Sequence, residues 1–136
     1  MKRIILVFAA FVLFAGMAMS QTTTPVDNPN KPVAKFDRLI YDMGNIDKGI
    51  PKEVKFVLTN TGKEPLIIQS ARASCGCTNL KYSSEPILAG KSIDIFVTYN
   101  AAVGGAFTKT ITVTTNADTN QVILQIKGTV VEKTQQ

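Results

Sequence analysis

The stretch Ile93-Asp94-Ile95-Phe96-Val97-Thr98-Tyr99-Asn100 has a period of two, with Ile93, Ile95, Val97 and Tyr99 on one side and Asp94, Phe96, Thr98 and Asn100 on the other. Successive side chains of an extended chain point to opposite faces, so the pattern predicts a half-buried strand. Phe107, Ile111 and Val113 alternate with Thr108, Thr110, Thr112 and Thr114 in the same way, and Val54, Phe56 and Leu58 alternate with Glu53, Lys55 and Thr59, Val57 being the exception. Val122, Leu124, Ile126 and Val130 mark a last strand, in which Gly128 predicts a close backbone approach or a bulge. Shorter strands are expected at 36–41, after Pro65 at Leu66-Ile67-Ile68, and at 78–82. The Thr row reads as the wet face of its strand, since Thr is both β-branched and polar.

No window of helical length carries apolar residues at a period of 3.6. About seven short antiparallel strands in roughly 100 residues, separated by turn signals such as Asp47-Lys48-Gly49, Ala89-Gly90 and Gly104-Gly105, predict an all-β, immunoglobulin-like sandwich. A closed barrel is the alternative. Asn60-Thr61-Gly62-Lys63, whose Asn and Gly tolerate positive φ, predicts a tight turn that joins strands 52–60 and 66–68 as a hairpin. Residues 34–131 read as one domain.

The ends of the chain read differently. Lys2 and Arg3 precede an uninterrupted apolar run from Ile4 to Ala15, and Ala18-Met19-Ser20 offers small residues before a cut expected between Ser20 and Gln21. This is the pattern of a cleaved signal peptide over residues 1–20, too short before Gly16 to span hydrocarbon. Residues 21–33, with three prolines, read as a flexible Pro/Thr linker, and 132–136 as a polar tail. The expected location is the periplasm or the outside of the cell, with no stable membrane anchor.

The chain has 136 residues, a net charge of +5 and no His or Trp. Without Lys2 and Arg3 the charge is +3, too slight and too scattered for a nucleic-acid footprint. The missing His excludes His-dependent nucleophiles and His-ligated zinc. Asp42, Asp47 and Glu53 lack a recognisable partner acid, so the expectation is a protein that is not an enzyme.

One string carries chemistry: Ser74-Cys75-Gly76-Cys77-Thr78. A bridge between Cys75 and Cys77 closes a loop of about three residues, so it removes little chain entropy and is not a core staple. In an extended chain the two Cα atoms stand roughly 6.6 Å apart, near the limit for a disulfide, and a kink at Gly76 brings them closer. Such a bond is expected to reduce easily. The alternatives are a two-thiolate site for a soft ion such as Cu(I), with Met43 the one further sulfur after processing, or a metal-bridged dimer. A buried thiol pair or an intermolecular cross-link is also open. Arg72 is near enough in sequence to favour a thiolate.

The order of strand, Asn60-Thr61-Gly62 turn, Leu66-Ile67-Ile68, Ser74-Cys75-Gly76-Cys77-Thr78, Pro86, Gly90, long alternating strand, Thr115-Asn116 and a last strand with Gly128 resembles the exported bacterial domain-of-unknown-function family 1573. The resemblance spans 34–131 and implies an immunoglobulin-like sandwich akin to Hydin-type and major-sperm-protein-type domains. It assigns no activity. Some members carry a lipid-accepting Cys after the leader, and this chain has none there. The expected function is a non-enzymatic binding or structural module of the cell envelope that engages a protein partner, with β-strand addition as one mode. The alternative is a thiol-active protein in which Cys75 and Cys77 bind copper or exchange disulfides.

Overall fold

The computed structural model of the chain describes residues 28–117 and 121–133. The expected leader, the cut at Ser20 and Gln21, the first half of the linker and the last three residues lie outside them. Among the described residues eight strands are formed: β1 (Ala34–Phe36), β2 (Ile40–Asp47), β3 (Lys52–Asn60), β4 (Ile68–Ala73), β5 (Thr78–Lys81), β6 (Ser92–Tyr99), β7 (Gly105–Thr115) and β8 (Gln121–Val131). They make two four-stranded sheets, ordered β1-β3-β6-β5 and β2-β8-β7-β4. The fold is an immunoglobulin-like β-sandwich rather than a closed barrel, with one strand more than the sequence pattern indicates.

The period-two residues fill the space between the sheets. Phe56, Leu58, Ile95 and Val97 from one sheet meet Ile111, Val113, Leu124 and Ile126 from the other, all fully buried. Burying a side chain of this size contributes roughly 1.5–3 kcal/mol, so these positions dominate stability. Thr108 is exposed and Thr110, Thr112 and Thr114 are half-exposed, on the outer face of β7.

Three local expectations change. The stretch 36–41 is two strands, not one: β1 pairs with β3, and β2 pairs with β8 in the opposite sheet. Asp37 holds the crossover, accepting at its carboxylate from the Val57 N–H at 2.8 Å while its own N–H donates to the Val57 carbonyl at 3.0 Å. Because the chain changes sheets without reversing direction, β2 and β8 are parallel, and the sandwich is not wholly antiparallel.

Strands β3 and β4 do not form a hairpin, because they belong to different sheets. Neither Asn60 nor Gly62 has a positive φ. Instead the Asn60 side chain accepts from the Gly62 N–H at 2.9 Å, an Asx turn, and Gly62 is required by close approach. A Cβ there would collide with the Lys31 carbonyl oxygen and stand 2.6 Å from the Val33 nitrogen.

The same contact alters the linker. Residues 28–33 lie against the turn after β3: the Val33 N–H donates to Asn60 Oδ1 at 3.3 Å, Glu64 N–H to the Asn30 carbonyl at 2.8 Å, and Thr61 N–H to the Val33 carbonyl at 3.0 Å. Pro32 is buried. This end of the expected linker is part of the domain, because its backbone groups find partners on the turn.

Gly128 meets its expectation of close approach. A Cβ there would stand 2.7 Å from the Gly44 carbonyl oxygen and 2.9 Å from Phe107 Cζ. Gly44 itself has φ +65° and sits where the β2–β8 register shifts, a bulge that lifts the edge strand.

Candidate functional site

Cys75, Gly76 and Cys77 form the turn that carries the chain from β4 in one sheet to β5 in the other. Both flanks are tied to long strands. The Ser74 N–H donates to the Thr110 carbonyl at 2.9 Å, and the Thr110 N–H donates to Ser74 Oγ at 3.2 Å. On the other side the Asn100 N–H donates to the Cys77 carbonyl at 3.0 Å. The Cys75 and Cys77 sulfurs are bonded to each other, with their Cα atoms 5.3 Å apart. That separation lies inside the ordinary range for a disulfide, and it is shorter than a straight strand provides. Gly76 has no positive φ, so the turn is closed without a left-handed residue.

Thr78 opens β5 beneath this turn and is 7% exposed. Its Oγ1 is 3.8 Å from the Cys75 sulfur and 3.9 Å from the Cys77 sulfur. Cys77 also packs against the hydrophobic core.

A cleft of about 490 Å³ opens beside the turn, lined by Cys77, Tyr99, Phe107, Val103 and Lys109 among others. Tyr99 and Phe107 stack with ring centroids 4.0 Å apart and form its floor from both sheets. The loop between β6 and β7 forms its lip. Ala101 in that loop is buried with φ +52°, and the Asn100 side chain accepts from the Ala102 N–H at 3.2 Å. The loop is thereby fixed with Val103 outward, 73% exposed.

Arg72 does not reach the sulfurs. It is exposed on β4 opposite Thr112, on the outer face of its sheet. Lys109, not Arg72, is the cation of the cleft that Cys77 lines. It lies two residues from each of the buried Phe107 and Ile111, so it shares their inner side of β7. The signal was present, since Lys109 interrupts the apolar positions 107, 111 and 113.

Met43 is buried in the core and is not among the residues of the cleft, so it brings no third sulfur to the pair. Among the described residues no three His, Cys, Asp or Glu side chains gather to hold a metal ion. Asp42 pairs with Lys127 at 3.8 Å and Glu53 accepts from the Thr98 hydroxyl at 3.2 Å, so these carboxylates are spread over separate outer surfaces.

A family model described as "Protein of unknown function (DUF1573)" matches residues 34–130, from β1 to the end of β8, with the Cys75–Cys77 turn inside it. The chain belongs to the DUF1573 family. Solved structures share the fold of this DUF1573 sandwich. The ASH / PapD-like domain 7 of human CEP192 is 13% identical, with a TM-score of 0.63, over 88% of this chain and 99% of that one. A protein of unknown function from Porphyromonas gingivalis W83 is 16% identical with a TM-score of 0.69, over 79% of this chain and 51% of that one, so the DUF1573 chain spans about half its length. At these identities the likeness shows the fold. No curated protein gives a significant match.

Proposed function

We propose that this DUF1573 protein is an exported, non-enzymatic binding module of the cell envelope, and that it engages a protein partner at the disulfide end of the sandwich. The observation that carries this reading is the cleft between the Cys75–Cys77 turn and the β6–β7 loop. It combines an outward apolar side chain, Val103, with a floor of stacked aromatic rings, on backbone tied to both sheets. An apolar group held on a rigid rim binds with little loss of conformational freedom. The leader pattern in the sequence supports export.

The test is a photo-reactive amino acid at Val103, in the protein made by its own cell, with Ile123 on the outer face of β8 as control. A discrete cross-linked product at 103 and none at 123 is the expected result; no product at 103, or equal products, refutes the docking end. Export is read separately, from a mature N-terminus at Gln21 in the envelope fraction.

A thiol-active reading is the second one, favoured by Cys77 lining the same cleft. Copper uptake measured as intact mass with and without Cu(I), after reduction, separates metal binding from disulfide exchange.

A further inference from the structure

Thr78 has a buried hydroxyl whose contacts, among the described residues, are the two sulfurs of Cys75 and Cys77. A disulfide sulfur is a poor acceptor for that O–H, whereas a thiolate is a good one, and a hydrogen bond to a charged group is about twice as strong as a neutral one. Thr78 is 7% exposed, and burial makes the difference larger by limiting competing water. Lys109 adds a cation to the cleft that Cys77 lines. Thr78 faces both sulfurs and Lys109 shares the cleft with Cys77, and each interacts more favourably with the reduced, ionised state than with the bond.

We propose that the Cys75–Cys77 disulfide is an exchangeable acceptor for a protein dithiol docked at the cleft, and that Thr78 and Lys109 are positioning residues, Thr78 stabilising the departing Cys75 thiolate and Lys109 the Cys77 thiolate released after it. The inference goes beyond the binding reading and uses the same end of the sandwich. Cys77 lines the cleft, so the incoming partner thiolate attacks the Cys77 sulfur. The new partner–Cys77 bond forms, the Cys75–Cys77 bond breaks, and its electron pair leaves on Cys75, facing the Thr78 hydroxyl. A second partner thiolate then attacks the partner sulfur of the mixed disulfide, releases Cys77 as a thiolate, and leaves the partner with a disulfide. Two electrons and two protons pass from the partner dithiol to this protein in one exchange, which requires no other oxidant or reductant.

The experiment measures the rate of reduction of the purified protein by dithiothreitol, and the pH at which the ultraviolet thiolate absorbance of the reduced protein appears. Thr78→Val should slow reduction by about tenfold and move thiolate formation to higher pH, since it removes a hydrogen bond to a charged group. Thr78→Ser keeps the hydroxyl and should restore both. Lys109→Met, at a site where unfolding is not expected, should shift both in the same direction by a smaller amount. Unchanged rates and titrations in Thr78→Val and Lys109→Met, or a Thr78→Ser protein that behaves like Thr78→Val, overturn the proposal. The Val103 cross-link is independent of these outcomes: its persistence in a Cys75→Ser/Cys77→Ser protein separates docking from exchange.

Discussion

The side-chain amide of Asn60 donates to the carbonyl oxygen of Ile87 at 2.9 Å, and the Asn60 side chain is wholly removed from solvent. The same amide donates to the Glu64 carbonyl at 2.8 Å, while Oδ1 accepts from Gly62 and Val33. One residue thus ties the end of β3, the turn after it, the segment before β1 and the loop before β6. Asn60→Ala removes a hydrogen bond from four backbone groups, of which the Ile87 carbonyl keeps the Leu66 N–H. A buried group that loses its partner costs about 1–3 kcal/mol, so a total of about 3 kcal/mol is expected even after some groups recover water. Urea unfolding should show a lower midpoint. Asn60→Asp should not rescue it, because a carboxylate cannot donate to the Ile87 and Glu64 carbonyls.

Gly128 lies under the bulge of β2. Gly128→Ala places a methyl carbon 2.7 Å from the Gly44 carbonyl oxygen, and backbone cannot yield as a flexible side chain does. The expected loss is about 1–3 kcal/mol, as for other overpacked sites, with Phe107 displaced. A change in near-ultraviolet circular dichroism from the Tyr99–Phe107 stack accompanies it. Equal stability of the Ala and Gly proteins would refute the close approach.

Asp37 controls acid stability at the β1–β2 crossover. Burial pushes its carboxyl upward, but the Val57 N–H, the Arg38 hydrogen bond at 2.9 Å and the Arg38 charge together outweigh it, so the carboxyl is held below its ordinary value. The unfolded chain therefore binds the proton more readily than the folded one. The contribution of Asp37 is complete above the unfolded pKa of about 3.9 and is lost as pH falls through the lower folded value. Asp37→Asn should be less stable at neutral pH and show a flatter decline in acid. Parallel acid-unfolding curves for the two proteins would contradict this.

Cys75→Ser/Cys77→Ser tests whether the bridge holds the domain. A loop of about three residues corresponds to no more than about 1.6 kcal/mol of chain entropy, so the double variant should fold and unfold cooperatively with a small drop in thermal midpoint. Failure to fold would make the pair a staple.

Positions such as Phe56, Ile95, Ile111 and Leu124 were legible because a strand buried on one face imposes a period of two on the chain. The Cys75-Gly76-Cys77 string was equally legible as the candidate site, and its two sulfurs are bonded to each other. Asn60 was visible only as a turn residue, since a local signal does not disclose that the partners of its amide lie 27 residues away at Ile87 and at Val33. Thr78 looked like any β-branched residue opening a strand.

The sequence by itself determined that the chain is all-β, which side chains form its core, and that its cysteines are too close together to clamp the sheets. These follow from alternation and spacing, which are properties of the chain along its own length. Only the tertiary structure decided that β1 and β2 join opposite sheets, that β2 runs parallel to β8, that Arg72 faces outward while Lys109 lines the cleft, and that a buried hydroxyl faces both sulfurs. Each of these depends on which distant segment supplies a partner for a backbone or side-chain group, and that is settled by packing two sheets together.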